Sequence, residues 1–293
     1  MTLAIVLAYA LGASAGYIAS RDPRLADPWS VVIRTQLLLA SIFISLLAAW
    51  RLEGLGDLLW PLVVGVVCLI VFAAAWLVTP AGPGRRGRAT LRGSTALPNT
   101  GYWLLPMATI FGGPAATVIA VFVDRMVTVI FGGATFLLRR SAPHPQRLRT
   151  SWVDQAPLIA LCAGLALNVL SDAPSWTVGA LEWMAPVMAM TGAAVYVGSA
   201  RHPTQRIPLT GGYGPWIALT IVRLALLLPL VALAPTPAVA VVFLLCAFTI
   251  PTFSPPQWSV LYGYVDPVVA VAARWGWVFA PIALATGLVA LRG

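Results

Sequence analysis

The sequence predicts an all-α integral membrane protein in which ten transmembrane helices form two inverted five-helix repeats. Three observations lead to this fold class. Hydrophobic residues make up 60% of the 293-residue chain and charged residues only 9%, whereas a soluble domain carries about 25% charged residues. Apolar runs of about 20 residues, enough for one helix to cross a bilayer, recur along the whole chain. Two of these runs, at matching positions in the two halves, are interrupted by proline.

This composition excludes several classes of protein. So few charges cannot coat a water-soluble globule, which argues against a soluble enzyme, a nucleic-acid-binding module and a disordered chain. The net charge of +9 comes from 18 basic residues that are all arginine, and most of them lie in short connections between apolar runs. That distribution is typical of topology signals rather than of a phosphate-binding surface. The expected surroundings are a lipid bilayer, with no nucleic acid partner.

Ten spans fit the chain, because they use roughly 200 residues and leave some 90 for ends and loops. The first five spans form one repeat, 1–140, and the last five form the second, 151–293, after a basic linker. Two consecutive copies of a unit with an odd number of spans must insert with opposite orientations, so the second repeat is inverted relative to the first. We place the spans at residues 2–19, 30–50, 58–79, 89–111, 115–138, 154–171, 180–199, 214–234, 237–260 and 266–291.

The arginines are distributed asymmetrically across the membrane. With the loops assigned alternately to the two sides, only Arg51 and Arg292 fall on the side of the N-terminus. Positive charge accumulates in cytoplasmic loops. The opposite side is therefore expected to be cytoplasmic, with both termini outside the cell membrane. The arginines on the cytoplasmic side are Arg21, Arg24, Arg85, Arg86, Arg88, Arg92, Arg139, Arg140, Arg147, Arg149, Arg201 and Arg206.

The interruption in the fourth span is centred on Pro98, within the stretch Thr95–Gly101. Proline stops a helix because it lacks an N–H and clashes with the preceding turn. Asn99 and Thr100, directly after it, are good caps for a new half-helix. Unpaired backbone groups cost several kcal/mol each in a bilayer, so a break of this kind survives only inside protein or at a wet cavity.

The ninth span repeats the pattern, beginning at Pro251, 153 residues (251 minus 98) after the first interruption. Its three prolines surround the polar residues Thr252, Ser254 and Gln257. Paired broken helices in inverted repeats are the best sequence indicator of a secondary transporter's binding site. The positive ends of two half-helices would suit a carboxylate. The simpler alternative is that each proline only kinks its helix, as is common in membranes.

Four charged residues lie deep in the predicted spans: Asp124 and Arg125 in the fifth, Arg223 in the eighth and Arg274 in the tenth. A charge at such depth is a functional candidate by default, and an unpaired arginine would bind an anion through two parallel hydrogen bonds. Asp124 shares a helix face with Thr117, whereas Arg125 is expected to point about 100° away. The alternative is a structural Asp–Arg pair, with the other arginines reaching toward the cytoplasmic side.

Asp124 is also a candidate for ion coupling. A carboxylate at this depth can take up a proton, so proton coupling through Asp124 is one hypothesis. Sodium coupling is the other, because Asn99, Thr100 and Thr252 offer hard oxygen ligands.

Two stretches resemble the auxin efflux carrier family, which includes plant carriers and many bacterial members. Ala96–Gly101, followed by Leu105-Pro106, is similar to the signature of the family's first repeat. Pro251–Pro267, which ends in the letters LYGYVDP, is similar to its second-repeat counterpart. The resemblance continues through Trp275 to Pro281, and together with length and span count it covers nearly the whole chain.

This resemblance implies a fold of the sodium/proton-antiporter type with two crossed broken helices. It implies a scaffold from spans 1, 2, 6 and 7 and a mobile transport domain from spans 3–5 and 8–10. It also implies transport of an organic anion by an elevator-type movement, usually in a homodimer. Pro98, Asn99 and Pro251 match the family's crossover positions. Asp124 stands where plant carriers have a glutamine in the substrate site, which argues against a plant-like auxin site.

The favoured hypothesis is a secondary transporter of a small organic anion, with a proton or sodium as the candidate coupling ion. One rival is a carrier of the bile-acid symporter or antiporter type with the same architecture. The other is an intramembrane enzyme or sensor, which would need a catalytic partner for Asp124 that the sequence does not show. Because catalytic and metal-binding motifs are absent and the three cysteines lie apart in apolar runs, no enzyme activity, cofactor, metal or disulfide is expected. The expected binding residues are Pro98, Asn99, Thr100, Asp124, Arg223, Pro251, Thr252, Ser254, Gln257 and Arg274.

Overall fold

The computed structural model describes residues 1–22, 24, 26–78, 98–140, 155–199 and 213–249. Nearly all of these residues are helical, and the described part of the chain contains no β-strand. A 3₁₀ turn, Leu55–Leu58, leads into the third helix, and a π-helical turn, Thr100–Leu104, leads into the fourth. The helices are α1 (Thr2–Ala19), α2 (Ala26–Trp50), α3 (Leu59–Val78), α4 (Leu105–Arg140), α5 (Ala156–Leu170), α6 (Trp176–Ser199), α7 (Tyr213–Ala232) and α8 (Pro237–Ala247).

The all-α prediction is confirmed for the described residues. A helix lies at each predicted span from the first to the ninth, and α4 joins the end of the fourth span to the whole fifth. Four of the described helical stretches are long and apolar enough to cross a membrane. The tenth predicted span, 266–291, lies outside the described residues, so the ten-helix arrangement stays a prediction.

Large apolar side chains cover the outer faces of the helices. On α1, Leu3, Leu7 and Leu11 follow one another at four-residue spacing and are 70%, 52% and 64% exposed. Exposure of a continuous apolar surface of this kind to water is unfavourable, whereas contact with lipid is not. Charged Asp124 and Arg223, in contrast, are buried inside. The molecule therefore has the outward-apolar, inward-polar pattern of an integral membrane protein.

Helix α8 packs against α3, α4, α7 and the π-helical turn. Its sequence is apolar on every side, which is typical of a helix with no solvent-exposed face, and eight of its eleven residues are buried. Thr236 starts the helix, because its side chain accepts the backbone N–H of Val239 at 3.3 Å, and Pro237 at the first helical position already has the required φ. The helix ends at Ala247, before the proline-rich interruption predicted from the sequence.

The described helices pack in two groups. In the panel group, α1 packs along α6, and α2 packs along α5 and α6. In the core group, α3, α7 and α8 pack with one another, and α4 packs on α3 and α8. Asn168 of α5 donates hydrogen bonds to the carbonyls of Trp50 and Leu52 at 2.7 and 2.9 Å, which ties α5 to the end of α2. The two groups meet where α4 packs on α2 and α6.

Glycines allow the helices of the panel group to approach closely. A Cβ atom on Gly12 would stand 2.0 Å from the carbonyl oxygen of Met190, and one on Gly16 would stand 2.3 Å from that of Ala194. A real Cβ cannot come so near a backbone oxygen, so only glycine fits at these two positions. Small residues four apart are the usual means of close helix contact in a bilayer, where no hydrophobic force drives helices together.

Gly12→Ala is therefore expected to lower the free energy of unfolding by about 1–3 kcal/mol, because α1 and α6 must separate to admit the methyl group. Gly179→Ala on α6 is the matched control, since a Cβ there meets no atom within 4 Å and alanine favours the helix. Thermal unfolding in detergent compares the two variants. Equal melting temperatures would show that the α1–α6 contact does not depend on glycine.

The kink in α4 brings distant residues together. Gly113 has φ 65° and ψ −159°, a conformation that glycine adopts readily and other residues rarely do, and Pro114 follows it. The Thr117 hydroxyl donates to the Gly113 carbonyl at 2.8 Å and so braces the bend. In one straight helix Thr100 and Asp124 would lie about 36 Å apart, yet their side chains are in hydrogen-bond contact. The chain therefore folds back on itself at Gly113.

Candidate functional site

The start of one helical segment and the end of another meet inside the core group. Pro98 and Asn99 stand ahead of the π-helical turn that begins at Thr100, and α8 ends at Ala247. The backbone N–H of Asn99 donates to Oγ1 of Thr249 at 3.1 Å, across a separation of 150 residues. Asn99 and Thr249 are each only 2% exposed. The ends of two helical segments thus touch deep in the protein, and we call this meeting point, Pro98–Thr100 with Thr249, the crossover.

Asn99 caps the start of the π-helical turn. Its Oδ1 accepts the backbone N–H of Tyr102 at 3.3 Å, the bond of a helix cap. Its carbonyl accepts the N–H of Leu104 at 3.1 Å, and this five-residue spacing is that of a π-turn, a feature often found at functional sites. Pro98 cannot donate a backbone hydrogen bond and so leaves the chain irregular just before the turn.

Asp124 lies beside the crossover and is held from two sides. The hydroxyl of Thr100 donates to Oδ1 of Asp124 at 2.5 Å, and the guanidinium of Arg125 forms an ion pair with Oδ2. Asp124 is 8% exposed and Arg125 6% exposed. A Cβ atom on Gly101 would stand 3.3 Å from Oδ1, so this glycine leaves room for the carboxylate. The pair is therefore a buried ion pair joined directly to the first residue of the π-turn.

The expectation that Arg125 points away from Asp124 is wrong for the guanidinium group, which pairs with the Asp124 carboxylate. Helical geometry fixes the direction of the Cα–Cβ bond, whereas a long, flexible arginine side chain can fold back to a neighbour. The side chain of Thr117, expected on the face of Asp124, braces the kink at Gly113 and also lies 3.0 Å from the hydroxyl of Thr109. Thr100, from the other arm of the fold, contacts Asp124 instead.

Arg223 on α7 is 1% exposed. None of its three side-chain nitrogens finds a hydrogen-bond acceptor among the described residues. Helix α7 packs against α3 and α8, and Cys68 on α3 and Cys246 on α8 are ionisable groups in the neighbourhood of the guanidinium. These two cysteines are far apart in the sequence but lie near the same arginine. Since Cys246 is in the last turn of α8, Arg223 lies near the end of that helix.

Hydrogen-bond donors are left over in this region. In the described part of the chain, the buried amide Nδ2 of Asn99, the indole N–H of Trp103 and the Nε of Arg125 also lack an acceptor. The remaining unpartnered atom in this part is the hydroxyl of Thr220, one turn before Arg223. Buried donors without acceptors are unfavourable. An anion rich in oxygen atoms would supply the missing acceptors.

The crossover also touches the panel group. The hydroxyl of Tyr9 on α1 donates to the backbone carbonyl of Tyr102 at 2.6 Å. The Tyr102 side chain lies against Gly192 of α6, where an added Cβ would stand 2.5 Å from the Cβ of Tyr102. Any movement of the core group past the panel group must break this hydrogen bond and shift Tyr102 out of its place on α6.

The structure places four of the sequence-predicted site residues together, Pro98, Asn99, Thr100 and Asp124, and sets Arg223 near Cys246, close to the end of α8. The remaining predicted residues lie outside the described part of the chain: Pro251, Thr252, Ser254, Gln257 and Arg274. Sequence reasoning missed Thr249. The sequence signal that could have identified it is its position, because Thr249 is a polar residue two positions before Pro251.

A separate apolar groove of about 590 Å³ lies between α2 and α6. Its walls include Val31, Leu39, Phe43 and Met184, and no crossover residue lines it. Such a lining does not suit an anion. Among the described residues, no three His, Cys, Asp or Glu side chains cluster as metal ligands would.

The sequence matches no model of a known protein family and no curated protein. The resemblance to the auxin efflux carriers rests on the motifs around Pro98 and Pro251. Function is therefore inferred from the residues and contacts of the crossover.

Proposed function

We propose that this protein is a secondary membrane transporter that carries a small organic anion, such as a carboxylate, by an elevator-type alternating-access movement. The observation that carries the proposal is the hydrogen bond between Asn99 and Thr249, which joins the start of one helical segment to the end of another deep in the protein. Irregular backbone at membrane depth is tolerated only within protein or beside a wet cavity. In secondary transporters, discontinuous helices of this kind form the substrate site. The resemblance to the auxin efflux carriers implies the same function.

The chemistry of the crossover favours an anion. The π-turn that starts at Thr100 leads into α4 and presents the positive end of a helix dipole. The amide Nδ2 of Asn99 is a buried donor without an acceptor in the described structure, and the guanidinium of Arg223 is another. Charge-assisted hydrogen bonds from such donors to a carboxylate are stronger than neutral ones. In the proposed site, further contacts come from Thr252, Ser254, Gln257 and Arg274.

The packing of the helices suggests which part moves. The panel group is held together by close glycine contacts and by the bonds from Asn168, and it corresponds to the four spans proposed as a scaffold, 1, 2, 6 and 7. The core group carries the crossover and corresponds to the proposed transport domain. In this proposal the core group moves past the panel group and exposes the crossover to each side of the cell membrane in turn. Both termini are outside, and two copies form a homodimer.

A second candidate is a sodium- or proton-coupled carrier of the bile-acid symporter or antiporter type. It is favoured by the contact between Asp124 and Thr100, which links a buried carboxylate directly to the crossover. A proton or sodium ion bound at Asp124 would change the charge beside the substrate and so couple the two. The architecture is the same in both candidates, and they differ in the ion requirement.

A thermal-shift screen of the purified protein against organic anions, with and without sodium and at two pH values, tests both candidates. A ligand that binds only the folded state raises the melting temperature by mass action. We expect stabilisation by at least one carboxylate and none by its neutral amide. Stabilisation that requires sodium or low pH would favour the coupled carrier. Absence of stabilisation by every carboxylate would contradict the proposed function.

A further inference from the structure

Tyr102 joins the crossover to the panel group. Its backbone carbonyl accepts the hydroxyl proton of Tyr9 on α1 at 2.6 Å, and its side chain lies against Gly192 of α6. Its own N–H donates to Oδ1 of Asn99 at 3.3 Å, and the residue is buried. A residue beside the crossover is therefore held by two helices of the panel group. We call the contacts of Tyr102 with Tyr9 and Gly192 the Tyr102 latch.

The panel side of the latch lies next to a close contact between two helices. Tyr9 is three residues before Gly12, and Gly192 is two residues after Met190. At that pair α1 and α6 touch, since a Cβ on Gly12 would stand 2.0 Å from the carbonyl oxygen of Met190. Helices packed at this density move together and not past each other. Movement of Tyr102 with the core group therefore breaks its contacts with both helices.

A contact biases a conformational equilibrium only if it differs between the two conformations. Bonds within the panel group, such as those from Asn168 to the carbonyls of Trp50 and Leu52, are kept when that group stays rigid. The Tyr102 latch instead joins two groups that move relative to each other in the proposed cycle. It is therefore formed in one conformation and broken in the other, and it favours the conformation in which it is formed.

We propose that the Tyr102 latch stabilises one end state of the transport movement, and that Tyr9 and Gly192 set the population of that state. The inference rests on the proposed function and specifies its conformational control. The net contribution of one hydrogen bond changes an equilibrium constant roughly two- to tenfold. The fit of Tyr102 against Gly192 adds a second contribution, because only a residue without a side chain leaves room for Tyr102 there. Both contributions act one hydrogen bond away from Asn99 of the proposed ligand site.

The experiment measures the distance between the two groups with a pair of spin labels. Cys162 on α5 is exposed, whereas Cys68 and Cys246 are buried, so the native protein already offers one labelling position on the panel group. Leu77→Cys on α3 supplies a position on the core group, because Leu77 is 88% exposed. Pulsed electron–electron double resonance on the purified, labelled protein gives the distribution of distances, and each conformation contributes its own distance.

Tyr9→Phe keeps the ring and removes the hydroxyl, so the second distance is expected to gain population roughly two- to tenfold relative to the first. Gly192→Ala is expected to have a larger effect, because its Cβ would stand 2.5 Å from the Cβ of Tyr102 and force that residue away. Gly179→Ala is the matched control on α6, since a Cβ there meets no atom within 4 Å. Asn168→Ala loses bonds within the panel group only, so it is expected to lower the melting temperature without changing the ratio of distances.

The double variant Tyr9→Phe with Gly192→Ala removes both parts of the latch and is expected to shift the distribution furthest. If it keeps the wild-type distribution, the inference is overturned. If the double variant does not fold, Tyr9→Phe alone decides in the same way, because a lowered melting temperature with an unchanged distribution makes its hydrogen bond purely structural. In either case stabilisation of the wild type by a carboxylate in the thermal-shift screen leaves the proposed function standing. If no carboxylate stabilises the wild type, the proposed function fails and the inference with it.

Discussion

Asn99→Ala is expected to reduce anion uptake in liposomes to the level of liposomes without protein, while the fold is retained. The substitution removes Oδ1, which caps the π-turn at Tyr102, and Nδ2, a buried donor aimed at no described acceptor. Loss of the cap costs about 1 kcal/mol, which does not unfold the protein. In the proposed transporter, loss of the donor also removes a ligand contact at the crossover. Uptake and melting temperature, measured on the same preparation, separate the two effects.

Asn99→Ser separates the capping role of Asn99 from its role as a hydrogen-bond donor. Serine caps a helix about as well as asparagine but has no amide to donate, so the melting temperature is expected to be unchanged and uptake still lost. Ser14→Ala serves as the matched control, because the Ser14 hydroxyl is exposed and bonds only to the Ala10 carbonyl of its own helix at 2.9 Å. Wild-type uptake by Asn99→Ala would remove the crossover from the mechanism.

Much of the described fold follows from the sequence, because membrane helices must satisfy their own backbone groups. A run of apolar residues of sufficient length is then almost always one helix. Helix α8 shows how local signals add detail. Thr236-Pro237 marks its start, and the approach of the prolines at Pro251 indicates where regular structure stops. The kink at Gly113-Pro114 falls in the short gap between the fourth and fifth predicted spans.

Part of the candidate site could also be predicted. Proline followed by a capping residue indicated the helix start at Pro98-Asn99, and charge at depth drew attention to Asp124 and Arg223, which are buried. These signals depend only on residue type and position along the chain. The sequence did not show that Thr249 would receive the Asn99 N–H, because a contact across 150 residues depends on how the helices pack.

Side-chain partners were the least predictable feature. Asp124 bonds to Thr100 only because the kink folds the chain back, and to Arg125 only because a long side chain curls around its own helix. The bond from Tyr9 to the Tyr102 carbonyl depends on a carbonyl made available next to an irregular turn. Each of these contacts is decided by tertiary packing and not by residue spacing.

Asp124→Asn is expected to lower the free energy of unfolding by about 3–5 kcal/mol, because Arg125 then remains buried without the carboxylate that neutralises it. The double variant Asp124→Asn with Arg125→Gln removes both charges and is expected to recover most of the melting temperature. Both residues are buried, so solvent does little to weaken the pair. Thermal unfolding of the wild type, both single variants and the double variant gives the interaction energy of the pair.

The double variant then decides what Asp124 does beyond holding Arg125. If Asp124 acts on the transported ion or anion through Thr100, the double variant is stable yet transports poorly, because the crossover has lost its carboxylate. A proton-coupled carrier would in addition lose the dependence of uptake on an imposed pH gradient. If the double variant is stable and shows wild-type uptake with unchanged pH dependence, Asp124 is a purely structural partner of Arg125.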